Sequence, residues 1–453
     1  MVGVRGFRYM CASLSKLRSF VPGRTLLAAG SAIVAAVAVA GLSSAGADTL
    51  ETVTLRAMID SPKLKADEAR QDGTRQELTA ARMAVLPSVS VNFDSTFNGG
   101  VKSWPASNPP IPAHPSSVGA TLVQPLFDGL RRVNEINRAT ASVAAGNFAL
   151  SDTQQQVRLD TATAYLAVQR DRTILALHQR SLANLTGILT STRARFVGGE
   201  TTKTDIAQAA GRVEQARAEL DRVTGDLAAS SSEYERLVGA KPDQLAPPAV
   251  PVALLPRTAS EAVRLAELAN PKIGKADFTA LAAGHAATGA LSELSPVVDL
   301  VVAGNRNHGY SATIDRLDEY AVKVRVRVPL FEPGAIPRIG QARALARQRR
   351  YEATDTRDGV TAAARTAFAR YQAGVARANS LGRQIGYVRS ALIGVKKEAQ
   401  GGQRTVLDVL NAEAEAVNAE VTNANARYER DAAAYVLLAS VGRLAGPAQL
   451  ASR

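Results

Sequence analysis

The sequence predicts a mainly α-helical protein with a small antiparallel β part. Three patterns support this fold class: apolar residues that recur every seven positions through long stretches without proline, four short segments in which apolar and polar residues alternate, and a series of segments that occurs twice in the same order. Together these patterns predict two tandem copies of one structural unit, each made of long helices and a pair of strands.

The first 47 residues have the layout of a secretory signal peptide. Five basic residues and no acidic one come first, an apolar run follows from Leu26 to Leu42, and Ala45 to Ala47 form a small-residue cleavage site. We expect export and cleavage after Ala47. An uncleaved membrane anchor is the alternative, because the run approaches the length that spans a bilayer. The only cysteine, Cys11, precedes this site, so we expect neither disulfides nor thiol chemistry in the mature chain.

The formal net charge of +13 does not indicate nucleic-acid binding. Five positive charges leave with the signal peptide, and residues 321–397 hold 16 basic and 4 acidic residues, which leaves the rest of the mature chain mildly acidic. A nucleic-acid interface needs its basic residues on one compact face. An exported chain with charge dispersed in this way is not expected to bind nucleic acid.

Self-comparison divides the mature chain into two repeats. The segment from Ser61 to Asp67 matches the one from Asn270 to Asp277, and Pro-Leu-Phe at 125–127 recurs at 329–331. A proline-rich linker between the repeats is unsuited to a helix. The expected parts are a signal peptide (1–47), a first repeat (48–246), the linker (247–256), a second repeat (257–446) and a C-terminal tail (447–453).

Each repeat is predicted to contain, in order, a helix, two strands, a long helix and a returning helix. In the fourth strand, Val322 and Val324 alternate with Lys323 and Arg325. A strand of a water-soluble sandwich has the same alternation, but a length of about ten residues favours a tilted crossing of a bilayer. The predicted strands are 88–97, 116–127, 296–304 and 320–331, the long helices are 128–197 and 334–399, and the returning helices are 203–240 and 405–445.

The helical segments have the spacing of coiled coils. Ile206, Val213 and Leu220 begin a series that continues every seven residues. The stretch from Asp128 to Phe196 contains no proline, and as one helix it would be about 100 Å long. A compact domain does not need such a helix, so we expect long helices packed side by side in the wall of a tube.

The tandem repeats, the Pro-Leu-Phe segments followed by Asp128 or Glu332, and the Gly-x5-Asp turns that end at Asp205 and Asp408 resemble the TolC family of outer-membrane efflux and secretion channels. The resemblance covers essentially the whole mature chain. It implies a homotrimer whose long coiled-coil helices form a periplasmic α-barrel, with four strands per protomer in a shared twelve-stranded outer-membrane β-barrel. Independently of the resemblance, four short strands cannot close a pore, so several chains must share one barrel.

The resemblance also implies a function. Members of the family are exit ducts in the outer membrane, with a long periplasmic part, for type I secretion systems or tripartite efflux pumps. Their helical-hairpin tips dock onto a periplasmic adaptor (membrane fusion) protein, which is coupled to an inner-membrane ATPase or proton-driven pump. The expected partners are therefore two further copies of the chain, this adaptor and outer-membrane lipid. Sequence does not separate protein secretion from drug efflux.

The hairpin tips are the candidate adaptor-contact sites. They also have a purely local interpretation, because glycine ends helices and an acidic residue favours the start of the returning helix. A tip can have both roles, since it must turn before it can be contacted. The candidate residues are Val197, Gly198, Gly199, Thr204 and Asp205 in the first repeat, and Gly401, Gly402, Leu407 and Asp408 in the second.

Two further sets of residues are candidates for the path through the duct. If the valines of the fourth strand face lipid, Lys323, Arg325 and Arg327 face the barrel lumen, where Asp94 and Asp299 are candidate ion-pair partners. The long helix of the second repeat has seven basic residues and no acid from 359 to 397, positioned either on a solvated outer face or along the passage. Within this stretch, Gly382, Gly386 and Arg389 are the candidate gate residues of the periplasmic helix.

No catalytic or metal-binding pattern stands out. The four histidines are scattered, and neither a phosphate-binding glycine loop nor a nucleophile elbow occurs. We therefore expect no enzymatic activity, no metal and no cofactor. One alternative comes from another class of protein, a soluble periplasmic coiled-coil adaptor. An adaptor would share the helical hairpin but not two copies of a strand pair with a hairpin.

Overall fold

The computed structural model describes residues 48–97, 114–310 and 314–444. The predicted signal peptide and C-terminal tail lie outside these residues. Within the described part of the chain, no helix combines the length and the apolar character needed to span a membrane.

The described residues form the same series of elements twice, which confirms a mainly α-helical fold with a four-stranded antiparallel sheet. The first repeat contains α1 (Leu50–Asp60), α2 (Pro62–Met83), β1 (Ser88–Ser95), β2 (Ser116–Phe127), α3 (Arg131–Val197) and α4 (Lys203–Val238). The second contains α5 (Ala259–Ala269), α6 (Pro271–Ala290), β3 (Val297–His308), β4 (Arg316–Arg327), α7 (Ala335–Gln400) and α8 (Val406–Ser440).

The single helix expected at the start of each repeat is broken into two helices. Proline lacks an N–H group and disfavours helical geometry in the residue before it, so Pro62 and Pro271 each become the first residue of a new helix. The preceding residues cap the new helices. The Ser61 hydroxyl accepts from the Leu64 N–H at 3.3 Å, and the Asn270 carboxamide oxygen accepts from the Lys272 N–H at 3.0 Å.

The four strands pair antiparallel in the order β1-β2-β3-β4. Several predicted strand boundaries differ from the structure, since β1 ends at Ser95 rather than at 97 and β4 begins at Arg316 rather than at 320. β3 continues to His308, through the turn expected after residue 304, because it pairs with the start of β4 down to Arg316. β4 ends at Arg327 rather than at 331, because its partner begins opposite at Val297 and the following Pro329 has no N–H group to donate.

The long helices α3 and α7 each pass from the sheet to a hairpin turn, and α4 and α8 return. Near the linker, one apolar cluster joins α3, α5, α7 and α8 through buried side chains that include Leu166, Leu265, Phe368 and Leu437. A tyrosine from each repeat hydrogen-bonds to the main chain in the linker or at the residue just before it. The Tyr165 hydroxyl donates to the Ala246 carbonyl at 2.5 Å, and the Tyr435 hydroxyl donates to the Ala249 carbonyl at 3.1 Å.

Candidate functional site

The first tip, residues 197–202, is a tight turn between α3 and α4. Gly199 has φ +76°, a left-handed conformation that favours glycine. The turn ends in a capping box, in which the Asp205 N–H donates to the Thr202 hydroxyl at 3.2 Å and the Thr202 N–H donates to the Asp205 carboxylate at 2.8 Å. The cap is therefore provided by Thr202, whereas the predicted Thr204 lies in the first turn of α4.

The second tip, residues 400–405, repeats this geometry between α7 and α8. Gly402 has φ +75°, the Asp408 N–H donates to the Thr405 hydroxyl at 3.2 Å, and the Thr405 N–H donates to the Asp408 carboxylate at 3.0 Å. At both tips, the backbone N–H donated by the threonine holds the pKa of Asp205 and of Asp408 below its usual range.

The two hairpins lie side by side just behind the tips. Leu410 of α8 is fully buried in an apolar cluster with Leu185 and Leu189 of α3 and Val213 of α4. Nearby, a guanidinium nitrogen of Arg212 on α4 donates to the side-chain oxygen of Asn411 on α8 at 3.0 Å. The apolar side chains on the tips themselves stay open to solvent, and Val197 is 89% exposed and Leu407 40% exposed. The nine predicted residues thus lie in two adjacent, similarly built turns and in the first turns of the helices that follow them.

The sheet has one polar face and one apolar face. Asp94 pairs with Ser117, Ser117 with Asn307, and Asn307 with Leu317, which places these four residues on one face. Lys323, Arg325 and Arg327 are an even number of residues from Leu317 and therefore share that face. The opposite face carries the exposed apolar residues Val89, Val91, Phe93, Val118, Val302, Tyr320, Val322, Val324 and Val326.

Asp299 and Asp94 differ in their relation to the basic residues of β4. Asp299 is the direct cross-strand neighbour of Arg325. Asp94 lies on β1, at the far edge of the sheet from β4, so within one chain it is not a partner for the basic residues of that strand. Two strands separate these edges in the sheet of one chain, so the pairing with Asp94 stays a prediction for contacts between chains.

The candidate gate residues lie in the last third of α7, near the second tip, where Arg389 forms an ion pair with a buried glutamate of α8. The Arg389 guanidinium donates to one Glu420 oxygen at 2.8 and 2.5 Å, and Arg180 of α3 donates to the other oxygen. Glu420 is only 9% exposed, and it connects three helices of the two hairpins. Gly382 and Gly386 line the cavity beside this cluster.

Closer to the tips, a second buried glutamate of α8 also contacts both α7 and α3. Glu413 is 2% exposed, and one of its oxygens is 2.8 Å from the Lys396 ammonium of α7 while the other accepts from Asn184 of α3 at 2.5 Å. Farther from the tips, Arg377 of α7 pairs with Glu429 of α8. Part of the basic stretch of α7 is therefore neutralised by acids of α8 and is not simply solvated.

The sequence reasoning missed Glu413 and Glu420. A signal for them exists, because these two acids are seven residues apart, as are Arg389 and Lys396 on the antiparallel helix. Equal seven-residue spacing of opposite charges on the two helices of a hairpin is the pattern that pairs them along one coiled-coil seam.

With this architecture, the chain is similar over nearly its whole length to known proteins of the bacterial outer membrane. The sequence model of the family described as outer membrane efflux protein matches residues 55–240, which run from α1 to just beyond α4. The outer membrane efflux protein BepC of Brucella suis is 28% identical over 418 residues, covering 91% of this chain and 90% of that protein. The chain is therefore similar to the outer membrane efflux protein family, whose members are channels and not enzymes.

Two further matches extend this similarity through both repeats. The outer membrane protein TolC of Escherichia coli is 22% identical over 417 residues, covering 87% of this chain and 83% of TolC. The crystal structure of the CmeC outer membrane channel of Campylobacter jejuni aligns with a TM-score of 0.77 at 12% identity, over 89% of this chain and 88% of that one. The alternative of a soluble adaptor is not favoured by these matches.

Proposed function

We propose that three copies of this chain form one exit duct and that the duct docks by its hairpin tips onto a periplasmic adaptor of a tripartite efflux pump. The sheet supports the trimer. β1 and β4 are edge strands, and in lipid the main-chain groups along an open edge need partners. Four strands from each of three copies give twelve, with the apolar face toward lipid and the polar face toward the lumen.

The single observation that carries the docking proposal is the pair of matched tips. Two adjacent turns with the same left-handed glycine and the same capping box present the exposed apolar side chains of Val197 and Leu407. Rigid turns hold such side chains in fixed positions, which favours binding by lowering the entropy lost on association. An adaptor would supply the complementary apolar surface, and energy for transport would come from the inner-membrane ATPase or proton-driven pump behind it.

The docking proposal is tested with Val197→Asp in cells that lack their own outer-membrane efflux channel. We expect this variant to assemble normally, because the side chain is exposed, but to lose drug resistance. Val252→Asp is the matched control, since Val252 lies on the linker and is 65% exposed. Full resistance with Val197→Asp would contradict docking through the first tip.

The trimer is tested by membrane fractionation followed by electrophoresis of unheated and heated samples. We expect an outer-membrane species of three times the chain mass that dissociates on heating. A soluble monomer in the periplasm would instead support the adaptor alternative. If the trimer forms but no efflux pump uses it, export of a protein by a type I secretion system is the remaining route.

The lumen assignment is tested by charge reversal at Arg325. In a reconstituted pore, Arg325→Glu is expected to shift the reversal potential toward cation selectivity, because a fixed charge in a narrow polar passage sets the local ion concentrations. Lys241→Glu, at an exposed position just after α4, is the control. An unchanged reversal potential with Arg325→Glu would place this face of the sheet away from the lumen.

A further inference from the structure

Three helices and the linker enclose a cavity that the proposed docking does not use. It has a volume of about 690 Å³ and is bounded by α3, α7, α8 and Pro248 of the linker. Four arginines lie along it, and an adjoining cavity shares two of them and adds a fifth. We call the combined feature the arginine groove, defined by Arg170, Arg383, Arg389, Arg427 and Arg430.

The acidic residues of the arginine groove are already engaged. Glu420 is bound by Arg180 and Arg389, and Asp431 accepts from the neighbouring Arg430 at 2.8 Å. In contrast, no acidic group among the described residues lies within ion-pair distance of Arg427 or Arg383, and Arg383 donates only to the Ser380 hydroxyl at 3.2 Å. The groove therefore has free positive charge on both α7 and α8.

A buried acceptor without a donor also lines the groove. Asn423 of α8 is 5% exposed, and its side-chain oxygen has no hydrogen-bond partner among the described residues. Buried polar atoms in folded proteins are almost always hydrogen-bonded, so an acceptor left without a partner beside a cavity indicates a missing donor. The donor must come from whatever occupies the cavity.

We propose that the arginine groove binds hydrogenphosphate. Its charged oxygens would accept hydrogen bonds from the Arg383 and Arg427 guanidinium groups, which match oxyanions well in geometry and charge. Near neutral pH inorganic phosphate keeps at least one O–H group, and this donor would satisfy the Asn423 oxygen. Sulfate has the same shape but no O–H group, so it would leave Asn423 without a donor.

The bound anion would join the two helices of the second hairpin. Arg383 belongs to α7, whereas Asn423 and Arg427 belong to α8. Gly382 leaves room for the anion, since a Cβ added there would approach only the Asn423 oxygen, at 3.8 Å. Ligand binding to the folded form alone stabilises it, so phosphate is expected to raise the thermal midpoint of the protein.

The test is isothermal titration of the purified, detergent-solubilised full assembly in a phosphate-free buffer with inorganic phosphate, sulfate and methyl phosphate. We expect phosphate to bind at least tenfold more tightly than sulfate. Methyl phosphate, which is largely without an O–H group at pH 7.5, should bind as weakly as sulfate. Equal affinities for phosphate and sulfate would overturn the role of Asn423, and the absence of phosphate binding at millimolar concentration would overturn the site.

Two variants assign the site to its residues. Arg427→Gln, at an exposed position, should weaken phosphate binding at least tenfold, and Asn423→Ala should abolish the preference for phosphate over sulfate. Arg365→Gln is the matched control, because Arg365 is an exposed arginine of α7 outside the groove, and it should bind phosphate as the unchanged protein does. Unaltered binding by Arg427→Gln would overturn the proposal. None of these results depends on adaptor docking.

Discussion

The two hairpins have long helices of nearly equal length and matching tips, but their long helices are held in different ways. In its last third, α3 buries a side chain at every third or fourth residue, including Leu185, Leu189 and Thr192. The corresponding part of α7, residues 379–398, is described throughout and contains no buried side chain. It also contains three glycines, Gly382, Gly386 and Gly394, where α3 has Gly187 alone.

Ion pairs take the place of apolar packing along this part of α7. Arg389 and Lys396 reach the buried glutamates of α8, whereas a side chain added at Gly386 or Gly394 would meet open space and not a neighbouring helix. Apolar packing is lost steeply when helices separate, whereas arginines and lysines can exchange partners with water at lower cost. The comparison predicts that the first hairpin is a fixed part of the wall and that the second is the one able to move.

The largest expected effect comes from breaking the apolar contact that ties the second hairpin to the first. Leu410→Ala removes a fully buried side chain from the cluster with Leu185 and Val213, and should cost about 2–5 kcal/mol. The shift is measured as the denaturant midpoint of the solubilised protein. Leu407→Ala, three residues earlier and 40% exposed, should shift it far less. Equal shifts would mean that the cluster does not hold the hairpins together.

A smaller effect is expected from removing the charge shared by three helices. Glu420→Gln weakens the contacts with Arg180 and Arg389, and should cost about 1.5–3 kcal/mol, since Glu420 is buried while both arginines are half exposed. We also expect larger single-channel conductance, because α8 is released from both α7 and α3. Glu429→Gln breaks an exposed pair with Arg377 and should cost less than about 1 kcal/mol. If both variants behave alike, burial of Glu420 has no special role.

Stiffening α7 should sharpen the difference between the hairpins. Gly382→Ala and Gly386→Ala fit without a clash and should each stabilise the helix by about 1 kcal/mol. If bending at these glycines opens the duct, the double variant changes conductance or antibiotic uptake. Gly211→Ala is the control on α4 of the first hairpin, where a side chain also meets open space. Conductance and uptake that both stay unchanged in the double variant would exclude these glycines as a gate.

The sequence predicted the repeats and the tips because both depend on local signals, such as Pro62, Gly199 and the seven-residue spacing. It did not predict the contacts of Glu420, which lies 240 residues from Arg180. Heptad spacing fixes which face of a helix is apolar, but the stagger and rotation between distant helices decide which charges meet. The end of β4 was misplaced for a similar reason, since the alternation continues to Val328 while the partner strand does not.

The smallest effect concerns a feature that the two hairpins share, their capped tips. Asp205 and Asp408 have lowered pKa values because backbone N–H groups donate to them, so their stabilising contribution is complete above the unfolded pKa of about 3.9 and disappears as the pH falls through the folded value. Amide exchange at both tips, corrected for intrinsic rates, should therefore accelerate below about pH 4, and to the same extent. Asp205→Asn should abolish this acid-dependent acceleration at the first tip while the second tip keeps it. If acid-dependent exchange persists at the first tip of this variant, a group other than Asp205 controls the stability of the turn. The two tips would then share their geometry but not the electrostatic cause of their stability.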